Sequence, residues 1–333
     1  MSNRRIDVHH HFIPPVYAQA MKEFGLDLSG WTIPEWTVEE NLKLSDQERI
    51  GCNILSITAP GPELLPSKEQ QARFCREANE YAAQVQAAHP TRYGFFASVP
   101  SLVYTEAVRK EIAYALDELQ ADGIVLFTRY GKDVQYLGHP DFRPVWDLLD
   151  ERSAVVFVHP THPMDPSQVN AALPQPMIDL PHETTRAACD LITSGIMRTH
   201  RNAKIILSHA GGTLPYIALR PAAMLPYMPM KSASTYRDMS GPEVTQAFIE
   251  DAKRFYFDTA LSADPLQLRL LSEFAKPGHV LFGSDLPYAP MPAIRHMNSL
   301  LDEYEEKNPD SIASLSTKSA LELFPRIRRH FSS

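Results

Sequence analysis

The chain has 333 residues, of which 44% are hydrophobic and 22% charged, a composition typical of a globular protein. Its formal net charge of −8 gives no support for binding to nucleic acid or to an anionic membrane. The three cysteines are isolated in the sequence, no apolar run is long enough to cross a membrane, and the first predicted strand begins almost at once. We therefore expect a cytoplasmic protein without a signal peptide, a disulfide framework or a cysteine zinc site.

Short apolar runs alternate along the chain with amphipathic stretches that have the pattern of helices. Most runs are nearly continuous in apolar residues, as expected for parallel strands buried on both faces. Strand and helix alternate eight times, which predicts a (β/α)₈ TIM barrel over residues 1–333 as a single domain. The runs are IDVHHHF at Ile6, NILSITAP at Asn53, YGFFASVP at Tyr93, GIVLFT at Gly123, AVVFVH at Ala154, KIILSH at Lys204, RFYFDT at Arg254 and HVLFGSD at His279.

Three segments do not fit this minimal repeat. Residues 25–36 form a small insertion after the first strand, and Pro163 to Pro181 form a long loop after the fifth. A helical tail is predicted over residues 309–333. Long loops at the top of a barrel are usually functional, so the loop after the fifth strand is a candidate part of the site.

The first strand contains three consecutive histidines, His9, His10 and His11. Ile6 and Val8 precede them, and prolines end the run, which is the pattern of a strand and its terminator and not of an affinity tag. Side chains alternate along a strand, so we expect His9 and His11 to point one way and His10 to face the helix layer.

Several metal-ligating residue types fall where predicted strands end, the place at which barrel enzymes build their active sites. His9 and His11 end the first strand, His159 the fifth, His209 the sixth and Asp285 the eighth. Any one of these histidines alone is more simply a core residue, but the set predicts a site for one divalent ion. Nitrogen and carboxylate ligands favour Zn²⁺, with Mn²⁺ or Fe²⁺ as alternatives. The chain has no glycine-rich nucleotide loop, so we expect no organic cofactor.

Four motifs resemble those of the amidohydrolase superfamily, in its branch of metal-dependent decarboxylases typified by aminocarboxymuconate-semialdehyde decarboxylase. They are HxHxxP at residues 9–14, VHP at 158–160, SHAGG at 208–212 and GSDLP at 283–287. The resemblance implies that His9, His11, His159 and Asp285 are metal ligands and that His209 lies beside the metal. The fourth strand ends in LFTRYG, without the lysine that bridges two metals in binuclear members, which favours a single ion.

Within that branch the chain is most similar to fungal decarboxylases of 6-methylsalicylate. The implied reaction is the non-oxidative decarboxylation of an aromatic 2-hydroxy carboxylic acid, 6-methylsalicylate giving 3-methylphenol and CO₂. Such a reaction needs a proton at the carbon that loses CO₂, and Asp285 is the candidate carrier. His209 is then expected to orient Asp285 or to stabilise a charged oxygen.

Substrate contacts are expected from aromatic residues and from one arginine. Phe12, Trp31, Trp36 and Phe96 are candidates for holding the ring, although core packing is the more common fate of such residues. Phe95 and Phe96 are adjacent, so only one of them can face the barrel interior. Arg220 lies eleven residues after His209. There the resemblance implies a homodimer in which Arg220 enters the partner's pocket, but an arginine on a helix surface fits the sequence equally well.

Other interpretations stay open. A metal-dependent hydrolase of a lactone or an amide could use the same ligands, and the product would distinguish ring opening from CO₂ release. A non-catalytic metal-binding or scaffold protein could share the fold. Among single residues, Asp7 and Asp258 could orient ligands or serve the fold alone, and His162 could touch substrate or be a solvated loop residue.

Overall fold

The computed structural model describes residues 5–25, 30, 32–133, 135–229, 235–310 and 316–331. At its centre are eight parallel strands that neighbour each other in chain order, which confirms the predicted (β/α)₈ barrel. Bridges from Asp7 to Phe282 and from His10 to Leu286 join the first strand to the segment after the last one and close the ring. The strands are β1 (Arg5–His11), β2 (Ile50–Ser56), β3 (Tyr93–Ala97), β4 (Gly123–Phe127), β5 (Val155–His159), β6 (Lys204–Leu207), β7 (Tyr256–Asp258) and β8 (Val280–Leu281).

Helices surround this barrel, and among the described residues none is both long enough and apolar enough to cross a membrane. Two short antiparallel strands of two residues each follow β4, Arg129–Tyr130 and Gln135–Tyr136. The α-helices are α1 (Pro15–Phe24), α2 (Val38–Gln47), α3 (Lys68–Ala88), α4 (Thr105–Asp117), α5 (Arg143–Glu151), α6 (Gln175–Thr193), α7 (Ile196–Thr199), α8 (Leu214–Ile217), α9 (Leu219–Met224), α10 (Gly241–Ala252), α11 (Pro265–Phe274), α12 (Met291–Lys307), α13 (Ser316–Leu323) and α14 (Pro325–Phe331).

The barrel interior has a core of its own, separate from the larger core between strands and helices. Phe157 of β5 lies between the two ends of this interior: its ring is 5.3 Å from that of Phe96 and 6.0 Å from that of His159, centroid to centroid. On the far side of Phe96 lies Phe324, between α13 and α14, with ring centroids 5.9 Å apart. The C-terminal tail therefore closes one end of the barrel, and the histidines occupy the other.

A partly buried ion pair attaches this tail to the barrel wall. The guanidinium of Arg326 donates from Nε and Nη2 to the two carboxylate oxygens of Asp122, at 2.9 and 2.8 Å, and also to the carbonyl oxygen of Tyr93. Asp122 is almost completely enclosed, so its charge depends on this partner.

The segment after β5 differs from the prediction of a loop to Pro181. Helix α6 already begins at Gln175, and Pro181 lies inside it. Proline cannot donate to the carbonyl of Met177, one turn earlier, but Met177 is exposed and solvent can satisfy that carbonyl. The helix therefore tolerates a residue that, in the sequence, looks like a stop.

Candidate active site

His9 and His11 extend from β1 into the barrel mouth, and both are completely buried. Their Nε2 atoms lie 3.2 Å apart. His10 points the other way, as expected from strand alternation, and its Nε2 accepts from the amide of Asn41 on α2 at 2.7 Å. Its Nδ1 donates to Asp7 at 2.8 Å across a register irregularity in β1. The structure thus separates one helix-facing histidine from two that share the mouth.

His159 and His209 join this pair from β5 and from the turn after β6. The ring of His159 is 4.8 Å from that of His11, and the ring of His209 is 4.9 Å from that of His9, centroid to centroid. Strand β6 ends at Leu207, and His209 begins a tight turn in the left-handed region, at φ 53°. Gly212 in that turn has φ 62°, and a Cβ there would collide with the carbonyl of Pro181 on α6.

Asp285 completes the cluster from beyond the last strand. Strand β8 is shorter than the predicted run and ends at Leu281. The chain then passes close to the side chain of His9 at Gly283. A Cβ on Gly283 would lie 2.8 Å from that of His9, so only glycine fits there. Asp285 has φ 64°, and its Oδ1 is 3.4 Å from Nε2 of His9 and 3.3 Å from Nε2 of His11. Its Oδ2 is 3.8 Å from Nε2 of His209.

Each of the three innermost imidazoles is held from behind through Nδ1. His9 donates to Oδ2 of Asp258 at 2.9 Å, His11 to the carbonyl of Ser56 at 3.2 Å, and His159 to the carbonyl of Pro160 at 2.8 Å. Because these partners are acceptors, they assign the proton to Nδ1 and leave the Nε2 lone pairs directed at one another. Lone pairs this close are repulsive unless a cation lies between them.

Asp258 ends β7 and holds two parts of the site at once. It is completely buried, and its second oxygen, Oδ1, accepts the backbone N–H of His209 at 3.0 Å and that of Ala260 at 2.9 Å. Asp7 has a comparable role at the junction of β1 with the segment after β8, where it accepts the backbone N–H of Ser284 at 3.0 Å. Both residues orient the site from outside it.

The protonation states also suit metal ligands. Burial lowers the pKa of His11, and burial with the neighbouring imidazoles holds the pKa of His159 well below its usual value. For His9, burial is outweighed by Asp258 and Asp285, which raise its pKa to about 10. For Asp285, burial is outweighed by the surrounding imidazoles of His11, His209 and His9, which hold its pKa well below its usual range. Without a metal ion, the cluster therefore contains a carboxylate at Asp285, a protonated imidazolium at His9 and neutral imidazoles at His11 and His159, and a bound cation would displace the second proton of His9.

Two overlapping triads in this cluster have ligand atoms within 4.8 Å of one another: His9, His11 and His159, and His9, His209 and Asp285. Imidazole nitrogens with one carboxylate are the donors that Zn²⁺ and related divalent ions accept. The donor set, its spacing and the acceptors behind it fit a bound divalent ion.

A cavity of about 340 Å³ opens above these residues, with His159, His209 and Asp285 at its base. Its volume lies in the range of small-molecule sites. Its walls are mainly apolar and come from α6, from the segments after β7 and β8, and from α12. They include Met177, Leu180, Leu261, Tyr288, Ala289, Ala293 and Met297. The base suits a charged group, and the walls suit a hydrocarbon ring.

The structure does not bring the other predicted contact residues to this cavity. Phe12 packs against Trp36 and Tyr81, with ring centroids 6.0 and 6.3 Å away. Phe96 does face the barrel interior, but it lies below Phe157 and away from the mouth. Trp31 lies outside the described residues.

Arg220 is also away from the cavity, on the exposed surface of α9. The sequence did not indicate the apolar walls that the cavity does have. Leu180 lies in the segment predicted as a loop, and Ala293 and Met297 lie on α12, where nothing in the sequence shows which side faces the mouth.

The barrel and its cluster of imidazoles and carboxylate define a class, the metal-dependent barrel enzymes. Residues 6–326 match the amidohydrolase family, and the chain belongs to that family.

Two curated relatives cover almost the whole chain. The chain is 52% identical over 324 residues to 6-methylsalicylic acid decarboxylase of Penicillium expansum, with 97% of each chain covered. It is 49% identical over 328 residues to 6-methylsalicylic acid decarboxylase of Aspergillus aculeatus, covering 98% of this chain and 97% of the relative.

Solved structures share the fold over the same extent. An amidohydrolase II structure superposes with a TM-score of 0.84 at 28% identity, covering 96% of this chain and 99% of the other. A dihydroxybenzoic acid decarboxylase from Polaromonas sp. JS666, with bound manganese and the inhibitor 2-nitroresorcinol, superposes with a TM-score of 0.80 at 21% identity, covering 97% of each.

Proposed function

We propose that this protein is a metal-dependent, non-oxidative decarboxylase that converts 6-methylsalicylate to 3-methylphenol and CO₂. The observation that carries the proposal is the set of buried imidazoles, each held through Nδ1, that meet Asp285 at the base of an apolar cavity. The two relatives named as decarboxylases of this acid, at 52% and 49% identity, favour decarboxylation over hydrolysis of a lactone or an amide.

We propose His9, His11, His159 and Asp285 as the ligands of one divalent ion. When bound, the ion would supply positive charge against the carboxylate and the ring oxygen of a 2-hydroxybenzoate. We propose zinc, which suits a site rich in imidazole, although the Polaromonas decarboxylase contains manganese. Elemental analysis of the purified protein distinguishes the two, and manganese at one equivalent per chain would replace zinc in the proposal.

Asp285 is the proposed proton carrier. Its carboxylate lies at the base of the cavity, with Oδ2 3.8 Å from the Nε2 atom of His209. Because it is ionised, it would first take up a proton, from the substrate's hydroxyl group or from water, and would then give that proton to the ring carbon that loses CO₂. His209 is the proposed partner of Asp285, since the backbone N–H of His209 is fixed by Asp258. The substituted ring would lie against Leu180 and Met297, in place of the aromatic residues expected from sequence.

We further propose a homodimer in which Arg220 enters the partner's site. The surface around Arg220 supports this, because apolar residues on both sides of it are exposed: Tyr216 by 79%, Leu219 by 64% and Tyr227 by 79%. Large exposed apolar side chains grouped along one segment favour an interaction site there. Mixed subunits of the inactive variants Asp285→Asn and Arg220→Ala should regain part of the activity. An active monomer, or no recovery after proven subunit exchange, contradicts the shared site.

A cytoplasmic location is also proposed. The cysteines are free thiols, and Cys52 and Cys75 are buried, as expected of a protein that folds in a reducing compartment. Fractionation of the source cells tests this, and recovery of the protein in a secreted fraction would contradict it.

The direct test of the reaction is incubation of the purified protein with 6-methylsalicylate. We expect CO₂ and 3-methylphenol in equal amounts, detected by gas analysis and chromatography. The competing hydrolase is tested in parallel with an aromatic lactone and an anilide. Hydrolysis of either compound without CO₂ from 6-methylsalicylate would overturn the proposed reaction.

A further inference from the structure

The histidine of β1 that faces the helix layer, His10, belongs to a buried network of hydrogen bonds. Asn41 of α2 donates from Nδ2 to Nε2 of His10 at 2.7 Å, and the hydroxyl of Tyr93, at the start of β3, donates to Oδ1 of Asn41 at 2.7 Å. His10 and Tyr93 are completely buried, and Asn41 is 2% exposed. The imidazole of His10 is therefore held from the helix layer in one orientation.

Asp7 continues this network toward the segment that follows β8. Nδ1 of His10 donates to Oδ2 of Asp7 at 2.8 Å, and the hydroxyl of Ser284 donates to the same oxygen. Oδ1 of Asp7 accepts the backbone N–H of Ser284 at 3.0 Å and that of His9 at 3.2 Å. A carboxylate can only accept, so the neutral ring of His10 carries its proton on Nδ1. Asp7 thus joins the ring of His10 to both donor groups of Ser284.

Ser284 holds the backbone on both sides of Asp285. Its hydroxyl oxygen accepts the backbone N–H of Leu286 at 3.0 Å, so one side chain spans Asp285 from residue 284 to residue 286. The carbonyl of Leu286 accepts the backbone N–H of His11 at 2.7 Å, and the N–H of Asp285 donates to the carbonyl of His9 at 2.9 Å. Asp285 has φ 64°, a conformation that residues other than glycine keep only where their surroundings impose it.

We propose that His10 is a positioning residue for the proton carrier and acts on Asp285 through Asp7 and Ser284. This inference rests on the proposed function, because it assumes that Asp285 delivers the proton to the ring carbon. The ring of His10 fixes the rotation of the Asp7 carboxylate, and that carboxylate holds both donor groups of Ser284. Ser284 in turn holds the left-handed backbone that directs the side chain of Asp285 toward the cavity.

The imidazoles of the site are held by other groups. His9 donates from Nδ1 to Asp258 and His11 donates from Nδ1 to the carbonyl of Ser56, and neither contact involves His10. Loss of the His10 ring should therefore leave these imidazoles in place and displace the carboxylate. Proton transfer is the step most sensitive to this displacement, because a shift of about 1 Å can lower a rate about 100-fold.

The test compares the metal-loaded wild-type protein with His10→Ala. We expect kcat for CO₂ release from 6-methylsalicylate to fall about 10–100-fold while KM changes by less than about twofold, because substrate and ion still bind. The solvent deuterium isotope effect on kcat should rise, since delivery of the proton then limits the rate. His10→Asn, which keeps an NH₂ donor near the place of Nδ1, should recover part of kcat. His10→Phe, which fills the space of the ring but cannot donate, should show the same fall and replaces His10→Ala if that variant does not fold.

His200→Ala is the matched control. His200 is 5% exposed, and its ring also contacts an aspartate, Asp147, at 2.9 Å, but it precedes β6 at the end of the barrel opposite the mouth. This variant should lower the unfolding temperature and change neither kcat nor the isotope effect. Wild-type kcat in His10→Ala and His10→Phe, or an equal loss of kcat in His200→Ala, would overturn the inference. Loss of bound metal from the folded His10 variants would overturn it as well, because the imidazole ligands would then depend on His10.

Backbone amide hydrogen exchange tests the positioning separately from the reaction. If the wild-type protein releases no CO₂ from 6-methylsalicylate, the proposed function fails, but the network can still be measured in this way. In His10→Phe, peptides that cover residues 283–288 should exchange faster than in the wild-type protein, because the N–H groups of Ser284 and Leu286 lose their fixed acceptors. Peptides from β5 should exchange at the wild-type rate. Unchanged exchange over residues 283–288 would refute the role of His10 whatever the reaction is.

Discussion

Replacing Asp258 by asparagine tests how the site prepares its ligands. Asp258 accepts from Nδ1 of His9 through one oxygen and from the backbone N–H groups of His209 and Ala260 through the other, and it is completely buried. An asparagine has one oxygen and one NH₂ group for these three donors. We expect the oxygen to take the two backbone donors, which leaves the NH₂ group facing His9.

That orientation changes the tautomer of His9. Its Nδ1 must then accept from the amide, so the proton moves to Nε2 and the nitrogen that faces the cluster can no longer bind a cation. Loss of the hydrogen-bond acceptor of a metal-binding histidine typically lowers metal affinity about 10–100-fold. Because the tautomer also changes, we expect Asp258→Asn to lower metal affinity by about 100-fold. In the alternative orientation of the asparagine side chain, the backbone N–H groups of His209 and Ala260 face its NH₂ group and lose their acceptor. This loss would lower the free energy of unfolding by about 1–3 kcal/mol for each group.

The assay is a competition titration of bound metal with a chromophoric chelator. Circular dichroism and thermal unfolding show whether the fold is retained. Asp264→Asn is the matched control, because Asp264 is exposed and its carboxylate accepts the backbone N–H of Leu266 at the start of α11, far from any imidazole of the cluster. Wild-type metal affinity in a folded Asp258→Asn protein would refute the argument that this carboxylate sets the His9 tautomer.

Three further tests probe separate parts of the structure. Asp285→Asn should lower CO₂ release by at least about a hundredfold with the fold intact, since a ligand and a proton carrier are lost together; near-normal turnover would require another proton source. His11→Ala should lose bound metal while His10→Ala retains it, as measured by elemental analysis, and stoichiometric metal in His11→Ala would refute the ligand assignment. Arg326→Ala should destabilise the fold by about 3 kcal/mol in urea unfolding, because it leaves the charge of Asp122 enclosed and unpaired, and an unchanged midpoint would show that the tail does not need this pair.

The barrel and the positions of its histidines could be predicted from sequence for one physical reason. Parallel strands buried on both faces are nearly continuous apolar runs, so each strand can be recognised in the sequence and its last residue can be identified. His159 is placed this way directly, at the end of β5. His209 and Asp285 lie beyond the observed ends of β6 and β8, in left-handed conformations, yet the predicted mouth still contains them because the turns are short.

The cavity walls could not be predicted in this way. Phe12 is buried and packs against the partly buried Trp36, because large aromatic rings contribute strongly to core packing. The walls instead come from helices α6 and α12, where the residues that lean over the mouth depend on how each helix is placed on the barrel. Because Pro181 looks like a helix stop in the sequence, the sequence did not show that α6 begins at Gln175 or that Leu180 lies on this helix.

The role of Asp258 could be assigned only from the three-dimensional structure. Its place at the end of β7 is visible in the sequence, but a carboxylate there fits a turn cap as well as a ligand partner. Only the distances to His9 and His209 decide that it serves both.

The most direct test of metal-dependent decarboxylation is a reconstitution titration. The protein is stripped with a chelator, zinc or manganese is added back in fractions of an equivalent, and CO₂ from 6-methylsalicylate is measured at each step. We predict that the stripped protein is inactive and that the rate rises linearly and stops rising at one equivalent of ion per chain. Full CO₂ release by the stripped protein, or a rate that continues to rise to two equivalents, would contradict a single catalytic ion held by these histidines and Asp285.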